Sequence, residues 1–159
     1  MDLPESDCQI LKLTTDFYAA YPSRLYKELL EKRQRAYNCI LFQSHYGYFI
    51  CVPYRTEINH KYAYCFKKSA RSRIHKSGLD YTKIVVITDT RFIDTKDALV
   101  DKDEYNETMV NLDKIKREVL NYVEDYVSHI KREKMLHVKE FKRRYLFSTL
   151  KYFHMELGI

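Results

Sequence analysis

One short stretch of the chain concentrates side chains that can act on a phosphodiester. Within seven residues it holds Arg55, Thr56, Asn59, His60 and Lys61. Arginine and lysine bind anionic oxygens, threonine and asparagine donate hydrogen bonds to them, and histidine or lysine can carry a proton to a leaving oxygen. RNA brings its own nucleophile, the 2′-hydroxyl. A protein that aligns this group and stabilises the phosphate charge can therefore cleave RNA without a metal ion or a covalent intermediate.

The sequence around this stretch is strongly basic. Residues 54–77 hold seven lysines and arginines against one acid, Glu57, so this basic segment alone carries +6, the formal net charge of the whole chain. A surface loop is usually mixed in sign, so the surplus predicts a polyanionic partner, most often nucleic acid. An anionic membrane ranks lower because the segment lacks a sustained apolar face of helical period. The cations expected to hold an RNA backbone are Lys67, Lys68, Arg71, Arg73 and Lys76.

Other chemistries find less support in the sequence. No two of the four cysteines have the C-x(2–4)-C spacing of a zinc ribbon or finger, and three glycines leave little scope for a glycine-rich phosphate cradle. Acids are frequent where the sheet is expected to give way to helices, and there they are expected to complement helix dipoles rather than bind Mg²⁺. We therefore predict neither a metal nor another cofactor. The acids concerned are Asp89, Asp94, Asp97, Asp101, Asp103 and Glu104.

The expected location is the cytoplasm. The N-terminus, MDLPESD, is acidic and unlike a signal peptide, and no run of residues is long and apolar enough to span a bilayer. Four reduced thiols fit the same compartment.

The sequence patterns of the elements that must position these residues indicate an α+β fold. Residues 9–15 alternate as a first strand does, and residues 37–54 hold two β-rich runs around SHYG. This pattern predicts a β-hairpin, with Gly47 in the turn and Pro53 ending the second strand. The basic segment is then expected to be a loop at the end of a strand. Further strands are predicted at residues 62–66, 81–87 and 91–94, with 81–87 central in the sheet.

Helices are expected mainly in the second half of the chain. A short helix should begin at Thr15 or Asp16 and end before Pro22, and SRLYKELLEKRQ, residues 23–34, predicts a second one. After Asp94, apolar residues recur at steps of three and four and predict one long amphipathic helix. Residues 138–157 predict a last helix. The whole chain, residues 1–159, is expected to form a single domain with a strongly bent sheet followed by helices.

This order of elements, with the stretches VPYRTEINHKYAYCFKKS and SGLDYTKIVVITD, resembles a known family. The chain is similar to the endoribonuclease toxins of type III toxin–antitoxin systems, the ToxN, AbiQ, TenpN and CptN group, and most similar to CptN. The resemblance covers essentially the whole chain and is most specific over residues 37–90. It implies a compact, strongly bent antiparallel sheet of the MazF/Kid kind, an SH3-like barrel, elaborated with helices.

The resemblance also implies an activity and a partner. The activity would be metal-independent RNA cleavage that leaves a 2′,3′-cyclic phosphate. The partner would be a small antitoxin RNA whose repeats fold as pseudoknots, which the toxin processes and which inhibits it. Toxin and RNA would form a closed particle held together mainly by protein–RNA contacts.

The roles that the resemblance implies for individual residues follow from matching the turn after the hairpin to the family's pattern. The family pattern P-L-T-S-P-K corresponds here to P-Y-R-T-E-I-N-H-K, so Thr56 takes the place of the catalytic serine and Arg55 that of the neighbouring threonine. The lysine of the pattern has no direct counterpart, and Lys61 or His60 would supply its charge and protonate the leaving oxygen. A second family lysine, in a K-A-F context, corresponds to Arg35 in R-A-Y.

Two side chains complete the expected site, and two other functions stay open. Asn59 and Tyr54 are expected to position the sugar or a base. Without the resemblance, the residues favour RNA binding over cleavage, because a loop that only binds RNA has much the same composition. A non-catalytic regulator would bind RNA without cutting it, and a protein-interaction module would bind an acidic partner and ignore nucleic acid.

Overall fold

The structure, a computed structural model, has the α+β architecture expected from the sequence. It describes residues 8–29, 38–44, 46–94, 96 and 98–159. Within these ranges the strands are Cys8–Leu13 (β1), Asn38–Gln43 (β2), Phe49–Arg55 (β3), Ala63–Cys65 (β4), Gly78–Asp80 (β5), Val85–Ile87 (β6) and Ile93–Asp94 (β7). The α-helices are Thr15–Ala20 (α1), Ala70–His75 (α2), Lys102–Val110 (α3), Leu112–Ile130 (α4), Val138–Tyr145 (α5) and His154–Leu157 (α6). Short 3₁₀ turns cover Tyr81–Lys83, Thr90–Phe92 and Thr149–Tyr152.

All strand pairs are antiparallel, and the described strands form an open sheet. The order is β4-β5-β3-β2-β1-β7, and β6 pairs with β3 outside this path. The sheet forks because one edge of β3 is divided between two partners: residues 49–51 pair with β6 and residues 54–55 pair with β5. In the described part of the chain the strands therefore do not close into the expected barrel.

The predicted hairpin is confirmed, but Pro53 does not end its second strand. Gly47 has a φ of +83°, as a tight turn requires, and β3 continues through Pro53 to Arg55. The amide of Ser44 bonds to the carbonyl of Tyr48, so by alternation the nitrogen of Pro53 points away from β2. It points into the gap between the β6 and β5 pairings, where a missing N–H breaks no ladder.

The basic segment is not the predicted loop, because part of it is helical. Ser69 begins α2 by accepting a hydrogen bond from the amide of Ser72, and Lys76 ends it in the left-handed region at φ 48°. The amide of Phe66 then bonds to the carbonyl of Ser77 over 2.9 Å. Residues 67–76 therefore form an excursion whose two ends meet beside β4 and β5.

Several predicted elements are shorter than their sequence patterns suggested. Residues 23–29 form turns rather than the start of a helix, and Leu25 of the predicted apolar face is exposed. The rest of that prediction, residues 30–34, lies outside the described residues. The predicted central strand at 81–87 begins as a 3₁₀ turn and becomes the three-residue β6, which lies off the main strand order. The cause is Asp80, whose side chain accepts the amide hydrogen of Thr82.

The predicted helices after Asp94 are interrupted twice. Asn111, at φ −106° and ψ 19°, separates α3 from α4, and its side-chain amide bonds to the carbonyl of Glu107. The last helix stops at Tyr145, and Ser148 caps a new 3₁₀ turn. The amphipathic pattern of α4 itself is confirmed, since one face is buried in the same core as the sheet. The buried residues of that face are Ile115, Val119, Tyr122, Val123 and Tyr126.

The remaining first-half predictions hold. Strands β1 and β4 fall where alternation placed them, and α1 begins at Thr15, but only residues 93 and 94 of the strand predicted at 91–94 are strand, because Thr90–Phe92 form a 3₁₀ turn. Across the described ranges, no helix combines the length and the apolar character that crossing a membrane requires.

We expect Gly78→Ala to destabilise the fold at the point where β4 and β5 meet. A Cβ atom at position 78 would lie 2.3 Å from the carbonyl oxygen of Tyr64, a backbone atom that cannot move without breaking the pairing. Overpacking of this kind costs about 1–3 kcal/mol. Urea unfolding of the variant measures the loss, and unchanged stability would show that the two strands can separate at no cost.

Candidate functional site

A buried carboxylate, Asp80, gathers the side chains at the end of β3. Arg55 is the last residue of β3 and pairs with Gly78 of β5, and Asp80 is the last residue of β5. The Nη1 of Arg55 donates to Oδ2 of Asp80 over 2.8 Å, and Nε2 of His60 lies 3.2 Å from Oδ1. Thr82 donates its amide and its hydroxyl to the same Oδ1 over 2.9 and 2.7 Å. The structure thus brings the predicted Arg55 and His60 together through an acid that the sequence did not single out.

Asp80 stays ionised although it is fully buried. Burial raises the pKa of the carboxyl, but hydrogen bonds from His60, Thr82 and Arg55 outweigh it and lower the pKa from 3.8 to about 2. His60 also accepts the amide hydrogen of Tyr62 at Nδ1 over 3.1 Å, which leaves the proton of the neutral ring on Nε2, 3.2 Å from Oδ1 of Asp80. Both ring nitrogens of His60 therefore face protein atoms, and this favours a positioning role over proton donation to a substrate.

Arg55 and Thr56 keep polar groups available at the surface. The Arg55 side chain is 32% exposed and uses one nitrogen for Asp80. Thr56 follows at the bend after β3 and is partly exposed, and its hydroxyl has no hydrogen-bond partner among the described residues. A side chain that caps a turn would be bonded to backbone. The free hydroxyl instead suits a ligand that Arg55 also contacts.

Lys83 is a candidate that the sequence analysis missed. It lies in the 3₁₀ turn capped by Asp80, where the charges of Asp80 and Arg55 both act on it, and its Nζ donates to the carbonyl of Phe147 over 3.1 Å. Burial lowers the pKa of its ammonium, and the positive charge of Arg55 adds to this, while Asp80 raises it. A lysine with a depressed pKa is a better proton donor at neutral pH. The available signal was a charged residue inside the apolar run that predicted a central strand.

Of the other predicted site residues, Tyr54 lies in the core rather than in the site. Its ring is 5% exposed and stacks on Phe66, and its hydroxyl lies 2.9 Å from the hydroxyl of Thr108 on α3. It belongs to the core, so the prediction that it contacts RNA is wrong. Arg35 lies outside the described residues.

Asn59 and Lys61 lie at the surface on either side of His60. The side-chain oxygen of Asn59 accepts from Nζ of Lys76 at 3.4 Å. The ammonium of Lys61 lies 5.6 Å from the ring centroid of Tyr62, within cation–π range. Neither side chain contacts Asp80.

The basic segment is anchored by buried acids that its own sequence lacks. Glu104 of α3 is completely buried and accepts the hydroxyls of Ser69 and Ser77, each over 2.8 Å. Arg71 holds the same carboxylate with two nitrogens, over 3.0 and 3.2 Å. Glu104 lies in the first turn of α3, as the sequence predicted, but it is buried there and balances the positive charge of Arg71 within the protein.

Glu107, one turn further along α3, holds the other end of the segment. It is 4% exposed and accepts the backbone amides of Lys67 and Lys68, each over 3.0 Å, and the hydroxyl of Tyr64 over 2.9 Å. Because the bonds come from backbone amides, the two lysine ammonium groups remain turned to solvent.

Four predicted RNA-binding cations keep an unbalanced charge. They are exposed, and no carboxylate of the described residues lies within ion-pairing distance of any of them. His75, on the same helix, pairs with Glu57 over 2.9 Å. The segment thus presents fewer free cations than its composition suggests. The four are Lys67, Lys68, Arg73 and Lys76.

Comparisons with known proteins add no assignment. No protein family, no curated protein and no solved structure matches this chain. Within the part of the chain that the structure describes, no three histidine, cysteine, aspartate or glutamate side chains lie together where they would hold a metal ion.

We expect the stabilisation from Asp80 to disappear in acid. Its pKa is depressed in the folded protein from 3.8 to about 2, so its contribution is fully present above about pH 4 and disappears as the pH falls toward about 2. The shift corresponds to about 2 kcal/mol. The difference in unfolding free energy between the parent protein and Asp80→Asn, measured in urea, should narrow over this range. A difference that stays constant with pH would contradict the assignment.

We also expect the free cations to set the salt dependence of RNA binding. Each side chain that no longer reaches a phosphate should lower the slope of log K against log salt by about one unit. Lys67→Gln with Lys68→Gln should therefore reduce the slope by about two units, whereas Arg71→Gln should change it little because Glu104 already balances that charge. Equal effects of the lysine pair and of Arg71 would show that the segment binds RNA by its overall charge alone.

Proposed function

We propose that this protein is an endoribonuclease that cleaves RNA without a metal ion, using the substrate's 2′-hydroxyl as the nucleophile. The observation that carries the proposal is the buried Asp80 carboxylate. It holds Arg55 by one nitrogen at the end of β3 and leaves that side chain 32% exposed, next in the chain to Thr56, whose hydroxyl has no partner among the described residues. A preorganised cation and a neutral donor are what a phosphate needs as charge builds on its free oxygens.

The proposed reaction divides the work among three side chains. Arg55 binds the non-bridging oxygens of the scissile phosphate, and Thr56 donates a hydrogen bond to one of them. The 2′-oxygen forms a bond to phosphorus and releases its proton to solvent, while the bond from phosphorus to the 5′-oxygen breaks. Lys83, whose pKa burial lowers, gives a proton to that leaving oxygen. The products are a 2′,3′-cyclic phosphate and a free 5′-hydroxyl.

His60 and the free cations complete the proposed site. His60 positions Asp80, and Asp80 in turn positions Arg55. Phosphates flanking the cleaved bond lie along α2, where Arg73 and the neighbouring lysines are exposed.

We further propose a physiological setting on the resemblance to type III toxins. The RNA partner is then a repeated antitoxin RNA that folds as pseudoknots, and toxin and RNA form a closed particle in the cytoplasm. The sheet would be a variant of the bent MazF/Kid sheet in which the division of one β3 edge between β5 and β6 leaves the barrel open. Tandem near-identical repeats of a few tens of nucleotides upstream of the reading frame would support this setting.

A non-catalytic RNA-binding regulator is the second candidate. The observation that favours it is the engagement of both His60 nitrogens by protein atoms, which removes one of the two proton donors expected from the sequence. The four free cations serve such a protein equally well.

Cleavage of an end-labelled RNA in EDTA tests the proposal. We expect products with 2′,3′-cyclic phosphate and 5′-hydroxyl ends. Thr56→Ala should lower the rate by about 10²–10³, the usual cost of one transition-state donor, while Thr56→Ser keeps most of it. Lys83→Met should cost more activity than Lys61→Met, because the proposed reaction assigns the proton transfer to Lys83.

Three outcomes would count against this function. A requirement for Mg²⁺ or a 3′-hydroxyl product would exclude the mechanism. RNA binding without cleavage at any protein concentration would favour the regulator. A Thr56→Ala protein that melts at a lower temperature but cuts normally would remove Thr56 from the site.

A further inference from the structure

A cleft of about 300 Å³ lies beside the Asp80 site, between β4 and helices α4 and α5. Its size is at the lower end of the range for small-ligand pockets. The side chains that matter for its chemistry are Lys61, Tyr62, Tyr81, Glu118, Asn121 and Tyr122.

The cleft adjoins the residues proposed to bind the scissile phosphate. Tyr62 stacks on His60, with ring centroids 6.2 Å apart and planes inclined by 26°. Tyr81 follows Asp80 directly in the chain. A group seated in the cleft therefore lies next to a phosphate held by Arg55, as a base lies next to its own phosphate in RNA.

Aromatic rings form the walls of the cleft. The ring of Tyr122 lies 6.5 Å from that of Tyr62 and 6.3 Å from that of Tyr81, measured between centroids. The hydroxyl of Tyr62 is buried and has no hydrogen-bond partner among the described residues, a state that costs about 1–3 kcal/mol unless a further group satisfies it. The rings of Tyr81 and Tyr122 are 5% and 6% exposed and belong to the core, whereas Tyr62 is half-buried and is the ring of the three on which a splayed-out RNA base can stack.

The charges in the cleft exclude a second phosphate. Arg144 is already held by Asp125 over 3.0 Å and by Glu140 over 2.8 Å. With Glu118 included, three carboxylates in the cleft face two cations, Arg144 and Lys61. An anionic group would be repelled, whereas a neutral base would not.

The polar groups of the cleft that have no partner among the described residues determine which RNA base fits it best. Glu118 accepts the hydroxyl of Tyr81 at Oε2 over 3.1 Å, and its Oε1 and the Asn121 amide have no partner among the described residues. A carboxylate only accepts hydrogen bonds. Guanine offers two adjacent donors, N1–H and N2–H, whereas adenine and cytosine pair one amino group with an acceptor and uracil flanks one N–H with two carbonyls.

We infer that this cleft is a base pocket for guanine, in which the ring of Tyr62 stacks on the base and Glu118 accepts from its Watson–Crick edge, with Lys61 or Asn121 donating to O6. The inference rests on the proposed function, since it names the nucleotide that lies next to the cleaved bond.

Cleavage of a random-sequence RNA, followed by sequencing of the new 5′-hydroxyl ends, tests the pocket. Guanine should be enriched at one fixed position beside the cut. Glu118→Gln should reduce the preference for guanine over adenine by about 10-fold or more, the usual range for one good base contact, while cutting continues. The amide oxygen of the substituted side chain can still accept the Tyr81 hydroxyl, so a melting curve should be unchanged. Glu124→Gln, on the same helix but outside the cleft, is the matched control and should keep the preference.

A second readout separates the pocket from the nuclease. Calorimetric titration with the four nucleoside 5′-monophosphates should show tighter binding of GMP than of AMP, CMP or UMP, and Glu118→Gln should abolish the difference. If the protein cuts RNA with no guanine preference, the pocket is overturned and the nuclease stands. If it cuts no RNA, the proposed function fails and the titration alone decides: selective, Glu118-dependent GMP binding supports the pocket, and equal or absent binding overturns it.

Discussion

The arrangement of the basic segment depends on two buried glutamates that lie one turn apart on α3. A buried carboxylate is costly unless hydrogen bonds and opposite charge surround it, so Glu104 and Glu107 must collect partners when the chain folds. They take them from both ends of the segment, from the amides of residues 67 and 68 and from the hydroxyl of Ser77. Ser77 precedes β5, and β5 ends in Asp80. The acids on α3 therefore also fix the strand that carries the proposed site.

A buried carboxylate binds an arginine side chain at two places in the structure, with different consequences for the exposed charge. Glu104 balances the charge of Arg71 through two nitrogens, whereas Asp80 bonds to one nitrogen of Arg55 and leaves that side chain 32% exposed. Internal acids thus reduce the mutual repulsion of a segment rich in cations without removing all of its outward charge. What remains exposed is a set of cations in and on either side of α2, together with part of the Arg55 side chain at the end of β3. The structure separates the groups that support the segment from those available to a polyanion.

Local patterns predicted the elements whose causes are local. Gly47 between two alternating runs gave the hairpin, and apolar steps of three and four gave the buried face of α4. The failures concern partners that are distant in sequence. The sequence shows Glu104 as an acid near the start of a helix but does not show that Ser69 and Arg71 bond to its carboxylate. It shows Tyr54 at the end of a strand but does not show that Thr108 of α3 contacts its hydroxyl. Lys83 lay inside the strand predicted at 81–87, and Asp80 directly precedes it. The apolar pattern did not show that the Asp80 side chain caps a 3₁₀ turn at this point. The site was therefore half predictable: the cations were visible in the sequence, and the acids that organise them were not.

The bond between Phe66 and Ser77 closes residues 67–76 into an excursion whose entrance and exit coincide. Because this bond closes the excursion, a change of length in α2 does not shift the register in which β4 pairs with β5. Substitutions at the exposed positions of α2 can thus change the number of surface cations without altering the pairing of β4 with β5, whereas the carbonyls of His75 and Lys76 are held by the amides of Glu57 and Ile58. The fold separates the part of the molecule free to diversify with its partners from the part in which a single inserted residue would be fatal to the site.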